Sequence, residues 1–296
     1  MKVRTQIPAR RRAKAARVGF IGLGSIGLPM AKNIVAGGFP LTVFDVSPDP
    51  LRELKACGAR VATSAAALAR ECDTIGICVN TDQQVEQVIL GDRGLLASAM
   101  PHTIVAIHST IRPSTVLKLA SIAAEHDVHV LDVGITGGPH GATAQSLCYM
   151  AGGDAVLVER CRPVFQTSAK TIVPTGPLGS GMATKLCNNL ITYLEFLAGS
   201  EAFRLAEKAK VPRDALTAVT QANGVITPFM RMFLAGMAGP ASETNRAARA
   251  AFVQLAEKDL AIALDFAREL GVSLPATALG AQLMADMVGL RDRQPC

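Results

Sequence analysis

Up to about Pro174, short runs rich in β-branched residues alternate with Ala-rich segments of helical periodicity. The runs are VGFIG from Val18, LTVFD from Leu41, TIGICV from Thr74, TIVAIHS from Thr103 and VHVLDV from Val128. Leu147–Met150 and Thr171–Val173 extend the series. Strands separated by helical patterns predict βαβ units, and therefore a doubly wound, mostly parallel sheet with helices on both faces. After Gly181 the strand pattern stops. Met182–Lys210 has no Pro and a single Gly, and Leu186, Leu190, Tyr193, Leu194, Leu197 and Phe203 recur at helical spacing. This predicts one helix about 40 Å long. Further helices are expected at Asp214–Ala222, Ala247–Leu270 and Ala276–Val288. The class is α/β: a sheet domain over residues 17–178, then an all-helical C-terminal domain over 179–296, joined by the long interdomain helix.

Composition adds limits. The chain has 296 residues, 49% hydrophobic and 18% charged, which suits a well-filled core and excludes intrinsic disorder. The longest charge-free run, Val133–Gly153, carries four glycines before Ala142, so it reads as loop and strand and not as a membrane span. The net charge of +6 is a matter of one end: Lys2, Arg4, Arg10, Arg11, Arg12, Lys14 and Arg17 leave 23 basic residues against 24 acidic in the remainder. The body is therefore neutral, and residues 1–16 read as a solvated basic extension, so neither a nucleic-acid nor a membrane partner is expected. The seven cysteines form no close pair at metal-ligand spacing. A reducing cytoplasm and no metal site follow as expectations.

Chemistry enters at four segments. In GFIGLGSIGLPM, the pattern Gly22-x-Gly24-x-x-Gly27 follows a strand and opens a helix. Gly22 would allow a tight turn, Gly24 a close approach of backbone to a diphosphate, and Gly27 close packing of helix on sheet. Asp45 ends the next strand, 18 residues past Gly27, where a carboxylate takes the ribose hydroxyls of an adenosine and repels a 2′-phosphate. With no Arg at Val46 or Ser47, the cofactor expected is NAD rather than NADP. The alternative is a Gly-rich packing turn with Asp45 as an ordinary loop acid.

In DVGITGGPHGATAQSL, Thr136, Gly137 and Gly138 stand at the carboxyl end of a strand, and consecutive glycine N–H groups there form a nest for a small carboxylate-bearing substrate. The alternative is a flexible crossover loop. In GPLGSGMATKLCNN, Lys185 and Asn189 are four residues apart on one helix face. The helix dipole and an oxidised nicotinamide would each lower the Lys185 pKa, as a general base requires. A lysine on a helix is more often a solvated surface residue. In KDLAIALDFARELGVSLP, Leu260, Leu264, Ala267 and Leu270 form a core stripe, and Lys258 and Asp259 stand at the start, where they read equally well as a solvated helix terminus.

In this order the four segments resemble the β-hydroxyacid dehydrogenase family, which includes 3-hydroxyisobutyrate dehydrogenase and tartronate semialdehyde reductase. GLGSIGLPM is similar to its cofactor motif, DVGITGGPHGA to its substrate motif, and KDLAIAL to its Lys-Asp-Leu motif. Gly176, Gly179, Gly181, Lys185 and Asn189 fall on its Gly-x-x-Gly-x-Gly-x-x-x-Lys-x-x-x-Asn pattern. The resemblance runs from about Arg17 to Pro275 and implies a Rossmann-like first domain. It implies Lys185 as catalytic acid/base, with Thr136, Gly137, Gly138 and Asn189 binding substrate. Its cofactor set would be Gly22, Leu23, Gly24, Ser25, Ile26, Gly27, Asp45, Val79, Asn80, Ser109, Thr110 and Lys258. A homodimer or homotetramer is expected. Departures are Thr136 for the usual Ser, Val133-Gly134 for Ala-Pro, Gln145 for Gly and Asn80-Thr81 for Leu-Pro.

The expected reaction is hydride transfer between a nicotinamide and the hydroxyl-bearing carbon of a small β-hydroxy acid. Within the same chemistry, reduction of a small aldehyde acid such as tartronate semialdehyde, glyoxylate or succinic semialdehyde is the alternative. Outside it stands a dinucleotide-binding module that docks by its basic tail. His126 and His129 are expected on an exposed loop and not as metal ligands, and His140 stands in the glycine turn.

Overall fold

The alternation of β-branched and Ala-rich segments becomes strand and helix in the computed structural model, which describes residues 16–236 and 242–290. Residues 1–15 of the basic extension lie outside the described residues. The chain divides into two units, one of residues up to Ser109 with Leu117–Leu178, the other of Thr110–Val116 with residues from Gly179 on.

In the first unit, β1 (Val18–Ile21), β2 (Leu41–Phe44), β3 (Arg60–Val61), β4 (Thr74–Ile77), β5 (Ile104–Ile107), β6 (His129–Thr136), β7 (Leu147–Gly152) and β8 (Ala169–Gly176) form one sheet in the order β3-β2-β1-β4-β5-β6-β7-β8. All neighbours are parallel except β6 and β7. The five runs named from sequence are all strands. Strands β1, β4 and β5 are buried throughout, which is why they read as continuous apolar runs. The two-residue β3 carries no such run and was missed. Helices α1 (Gly27–Ala36), α2 (Pro48–Ala56), α3 (Ala65–Ala69), α4 (Asp82–Leu90), α5 (Pro113–Ala124), α6 (Gly138–Thr143) and α7 (Ala155–Phe165) fill the connections. Strand order reverses between β1 and β4, and the crevice outside the carboxyl ends at such a point is where doubly wound sheets take ligands.

One expectation needs correction. The glycine-rich stretch after β6 is not simply a loop followed by a strand, because Gly138–Thr143 forms the short helix α6. Gly137 and Gly138 have φ of +122° and +63°, so the backbone turns through a region that favours glycine before the helix begins. Gln145, at φ +54°, occupies the left-handed region as well. That is a physical reason for glycine at its position in the family motif, and here the Gln145 side chain reaches Asn33 Oδ1 at 3.4 Å.

The second unit is helical: α8 (Ser180–Lys208), α9 (Arg213–Ala222), α10 (Pro228–Gly236), α11 (Glu243–Glu269) and α12 (Pro275–Met287). Tyr193, Phe196, Met230, Leu234, Val253, Leu260 and Met284 pack into its core. The buried Arg249 donates from Nη1 to the carbonyl of Val288, the C-cap of α12, at 2.8 Å, placing a cation where the helix dipole is negative. The short α10 was not anticipated. Among the described residues no helix is long and apolar enough to cross a membrane.

His108, just past β5, is 4% exposed. Its ring packs against Phe20, Tyr149 and Phe165, and its Nδ1 lies 3.0 Å from the Val133 carbonyl. Burial pushes its pKa down to about 4 from the ordinary 6.5, so the imidazole is neutral in the fold and that ring nitrogen is the donor. Between those two values the unfolded chain binds a proton that the folded chain refuses, and stability falls as pH falls. The contribution lost from pH 7 to pH 4 is about 3 kcal/mol. In denaturant unfolding across that range, His108→Gln should show a pH dependence shallower by about one proton. Parallel curves for the two proteins would sink the assignment.

Candidate active site

In the first unit, the turn after β1 is built from three glycines that are there for two different reasons. A Cβ on Gly22, at φ +90°, would stand 2.3 Å from the Cys78 carbonyl oxygen. One on Gly27 would stand 1.9 Å from the Gly22 carbonyl oxygen. Both are glycines because backbone passes too close for any side chain. Gly24 is different: a Cβ there meets nothing within 4 Å. The fold leaves room beside Gly24 that it does not itself use. The start of α1 carries no side-chain cap; the Leu28 and Met30 N–H groups bond back to the Gly24 and Ile26 carbonyls and Pro29 has none, so the donors offered to an anion are the N–H groups of the turn from Gly24 to Gly27. The donor set and the open space fit a dinucleotide diphosphate.

Asp45 directly follows β2, and its carboxylate is held by two backbone N–H groups, Leu23 to Oδ2 at 2.6 Å and Ser47 to Oδ1 at 2.7 Å. The acid therefore ties the glycine turn to its own strand end and fixes its negative charge beside that turn. Val46 next to it is 95% exposed. At the end of β4 the Val79 N–H donates to the buried Ser109 hydroxyl at 2.8 Å. Asn80 donates its N–H to Gln84 Oε1 at 2.8 Å, which fastens the entry to α4. Thr136 ends β6 and leads into Gly137 and Gly138. Since β2, β1, β4, β5 and β6 run parallel, these residues all belong to the carboxyl edge of one sheet. His140 is exposed on α6. His126 is exposed, and His129, the first residue of β6, stacks on His102. Among the described residues no group of three or more His, Cys, Asp or Glu side chains could hold a metal ion.

In the second unit, α8 and α11 bring together a cluster that the sequence showed only in part. Lys185, in the second turn of α8, is 9% exposed. It makes no ion pair or hydrogen bond of its own among the described residues. Burial pushes its pKa down to about 8, the Asp259 carboxylate pulls it up, and Lys258 pushes it down. Desolvation is thus the leading cause in the protein itself. Asn189, one turn on, is buried and donates from Nδ2 to Asp259 Oδ2 at 2.6 Å. Lys258 donates to the Thr110 carbonyl at 2.8 Å and lies 2.9 Å from Asp259 Oδ1.

The reading of Lys258 and Asp259 as a solvated helix terminus is wrong. They sit inside the 27-residue α11, and Asp259 is 2% exposed. Apolar positions upstream, Phe252, Val253 and Ala256, continue the core stripe and carry the helix past the pair. Tyr193 was counted as core alone, yet its hydroxyl donates to Asp259 Oδ2 at 3.1 Å. The signal was present: Lys185, Asn189 and Tyr193 stand at i, i+4 and i+8 on one face of α8.

Comparison with known proteins places the chain in a family. Residues 17–188 match the model of the NAD binding domain of 6-phosphogluconate dehydrogenase, and residues 179–294 match the model described as NAD-binding of NADP-dependent 3-hydroxyisobutyrate dehydrogenase. A probable mitochondrial 3-hydroxyisobutyrate dehydrogenase of Dictyostelium discoideum is 33% identical, covering 94% of this chain and 87% of that protein. An NAD-dependent L-serine dehydrogenase of Pseudomonas aeruginosa is 32% identical over 90% of both chains. A solved Mycobacterium tuberculosis 3-hydroxyisobutyrate dehydrogenase with L-serine superposes with a TM-score of 0.79 at 29% identity, covering 92% of this chain and 94% of that one.

The glycine turn yields a test. Gly24→Ala should fold with an unchanged melting temperature and lose about tenfold or more in NADH affinity by fluorescence titration, because its methyl enters space reserved for ligand. Gly27→Ala should be poorly folded, since the clash is with backbone. Equal cofactor affinity in Gly24→Ala and the parent would refute the assignment. With the glycine turn, the doubly wound sheet and the matched relatives in agreement, the chain belongs to the β-hydroxyacid dehydrogenase family and is an NAD(P)-binding oxidoreductase.

Proposed function

We propose that this chain oxidises a small β-hydroxy acid with NAD, Lys185 serving as general acid/base. The observation that carries the reading is a lysine 9% exposed, with a pKa near 8 and no ion pair or hydrogen bond of its own among the described residues. A buried ammonium without a dedicated partner is costly, and a fold retains one where the amine itself is used. Both 3-hydroxyisobutyrate and L-serine, named for the matched relatives, carry a primary hydroxyl on the carbon β to a carboxylate. Thr136, Gly137 and Gly138 offer a hydroxyl and backbone N–H groups suited to that carboxylate.

When bound, the cofactor accepts or returns a hydride at its nicotinamide ring. The protein supplies position and proton. Neutral Lys185 takes the hydroxyl proton during oxidation, and its ammonium form returns a proton to the oxygen during reduction. Asn189, anchored by Asp259, orients the same hydroxyl. Gly22–Gly27 would hold the diphosphate of the cofactor and Val79, Asn80, Ser109 and Thr110 would face its nicotinamide ribose region, with Lys258 a further cofactor-binding residue in this reading. The Asp45 charge favours two free ribose hydroxyls over a 2′-phosphate, and Val46 offers that phosphate no cation. Reduction of a small aldehyde acid uses the same groups in reverse.

The pH dependence has a definite sign. Oxidation needs the neutral amine, so its kcat/KM should rise with pH through about 8, whereas reduction should fall through the same value. Lys185→Met should lower kcat about a thousandfold while leaving NADH affinity within about twofold. A panel of 2- and 3-hydroxy acids, assayed with each cofactor, should favour a 3-hydroxy acid, and NAD over NADP by at least about tenfold in kcat/KM. Full activity in Lys185→Met rejects the lysine role, and preference for NADP rejects that of Asp45.

A further inference from the structure

The Asp259 carboxylate lies within α11 at 2% exposure and receives two donors on a single oxygen, Asn189 Nδ2 at 2.6 Å and the Tyr193 hydroxyl at 3.1 Å. A carboxylate accepts and does not donate, so it dictates which end of the Asn189 amide faces it. The NH2 group is committed to Asp259. The amide oxygen, which accepts from Asn188 Nδ2 at 3.3 Å, is the end left with a free lone pair for a ligand hydroxyl. Lys258 lies 2.9 Å from the other oxygen, Oδ1, and the Tyr193 hydroxyl is the second donor on the oxygen that holds Asn189, so it fixes the direction in which that oxygen meets the amide.

We propose that Tyr193 is a positioning residue for the reaction: by pinning Asp259 Oδ2 it fixes the Asn189 amide with its oxygen available to the substrate hydroxyl. This rests on the reading of Lys185 as the acid/base of that reaction. Tyr193 suits the task because burial and the neighbouring Asp259 both push its own pKa up, so its hydroxyl stays a proton donor at every working pH. Its ring meets the edge of Phe252 at 5.9 Å, a contact that Phe at this position would keep. The charged groups acting on Lys185 are Asp259 and Lys258, and loss of the Tyr193 hydroxyl changes the charge of neither.

The test is a double-mutant cycle of Tyr193→Phe and Asp259→Asn in the full chain, read in three ways. For hydroxy-acid oxidation, Tyr193→Phe should lower plateau kcat/KM about tenfold with the limb near pH 8 unmoved. Asp259→Asn should lower the plateau and move the limb to lower pH, because the carboxylate that raises the Lys185 pKa is gone. The double variant should be no worse than Asp259→Asn alone. NADH affinity should be the same in Tyr193→Phe and the parent.

The third reading needs no turnover. In 15N-labelled protein, the side-chain amide signal of Asn189, identified by its loss in Asn189→Asp, should lie downfield and sharp in the parent, then move upfield or broaden in Tyr193→Phe. An unchanged amide signal overturns the proposal, as does parental kcat/KM in Tyr193→Phe or independent, multiplying losses in the double variant. If the parent oxidises no hydroxy acid, the dehydrogenation reading fails, and the amide signal still decides whether Tyr193 sets Asn189.

Discussion

A lysine amine withdrawn from water, in the field of a single buried carboxylate, is the constraint around which the helical unit is arranged. Burial drives Lys185 towards neutrality, and Asp259 restrains that drive. The balance puts its pKa at about 8, so that both protonation states are within reach near neutral pH. Asp259 itself is affordable inside a 27-residue helix only because Asn189, Tyr193 and Lys258 surround it. Removing any one of these leaves the buried carboxylate one contact short.

The sheet unit solves a different problem with backbone alone. Gly22 and Gly27 are demanded by carbonyl oxygens that would collide with a side chain, while Gly24 is demanded by nothing in the protein. A glycine with open space around it marks where the fold makes room for something else. Asp45 reinforces the same turn by accepting the Leu23 N–H, so the acid directly after β2 also shapes the glycine loop. The reversal of strand order between β1 and β4 opens the sheet edge where that loop emerges.

The departures from the family motif separate backbone constraints from chemical ones. Gln145 adopts φ +54° where glycine is usual, and its amide reaches Asn33, so the family preference is conformational and a hydrogen bond accompanies its loss here. Thr136 keeps the hydroxyl of the usual serine at the end of β6. Gly134 lies within β6 paired to Met150, where the proline usual at that position would remove a strand N–H.

Much of this protein was determined locally. Strands buried on both faces must be apolar runs, and glycines where backbone passes too close for a Cβ, as at Gly22 and Gly27, cannot be replaced, so the sheet, the cofactor turn and α8 were all legible in the sequence. The i, i+4 spacing put Lys185 and Asn189 on one face for the same reason. Tertiary structure decided what no local pattern contains. Asp259 reads as a surface acid at the head of an apolar stripe, and only the packing of α11 on α8 buries it 70 residues from Asn189 and 66 from Tyr193. The burial that lowers the Lys185 pKa is likewise a property of the assembled helices, because desolvation depends on which atoms displace water, and those atoms come from distant parts of the chain.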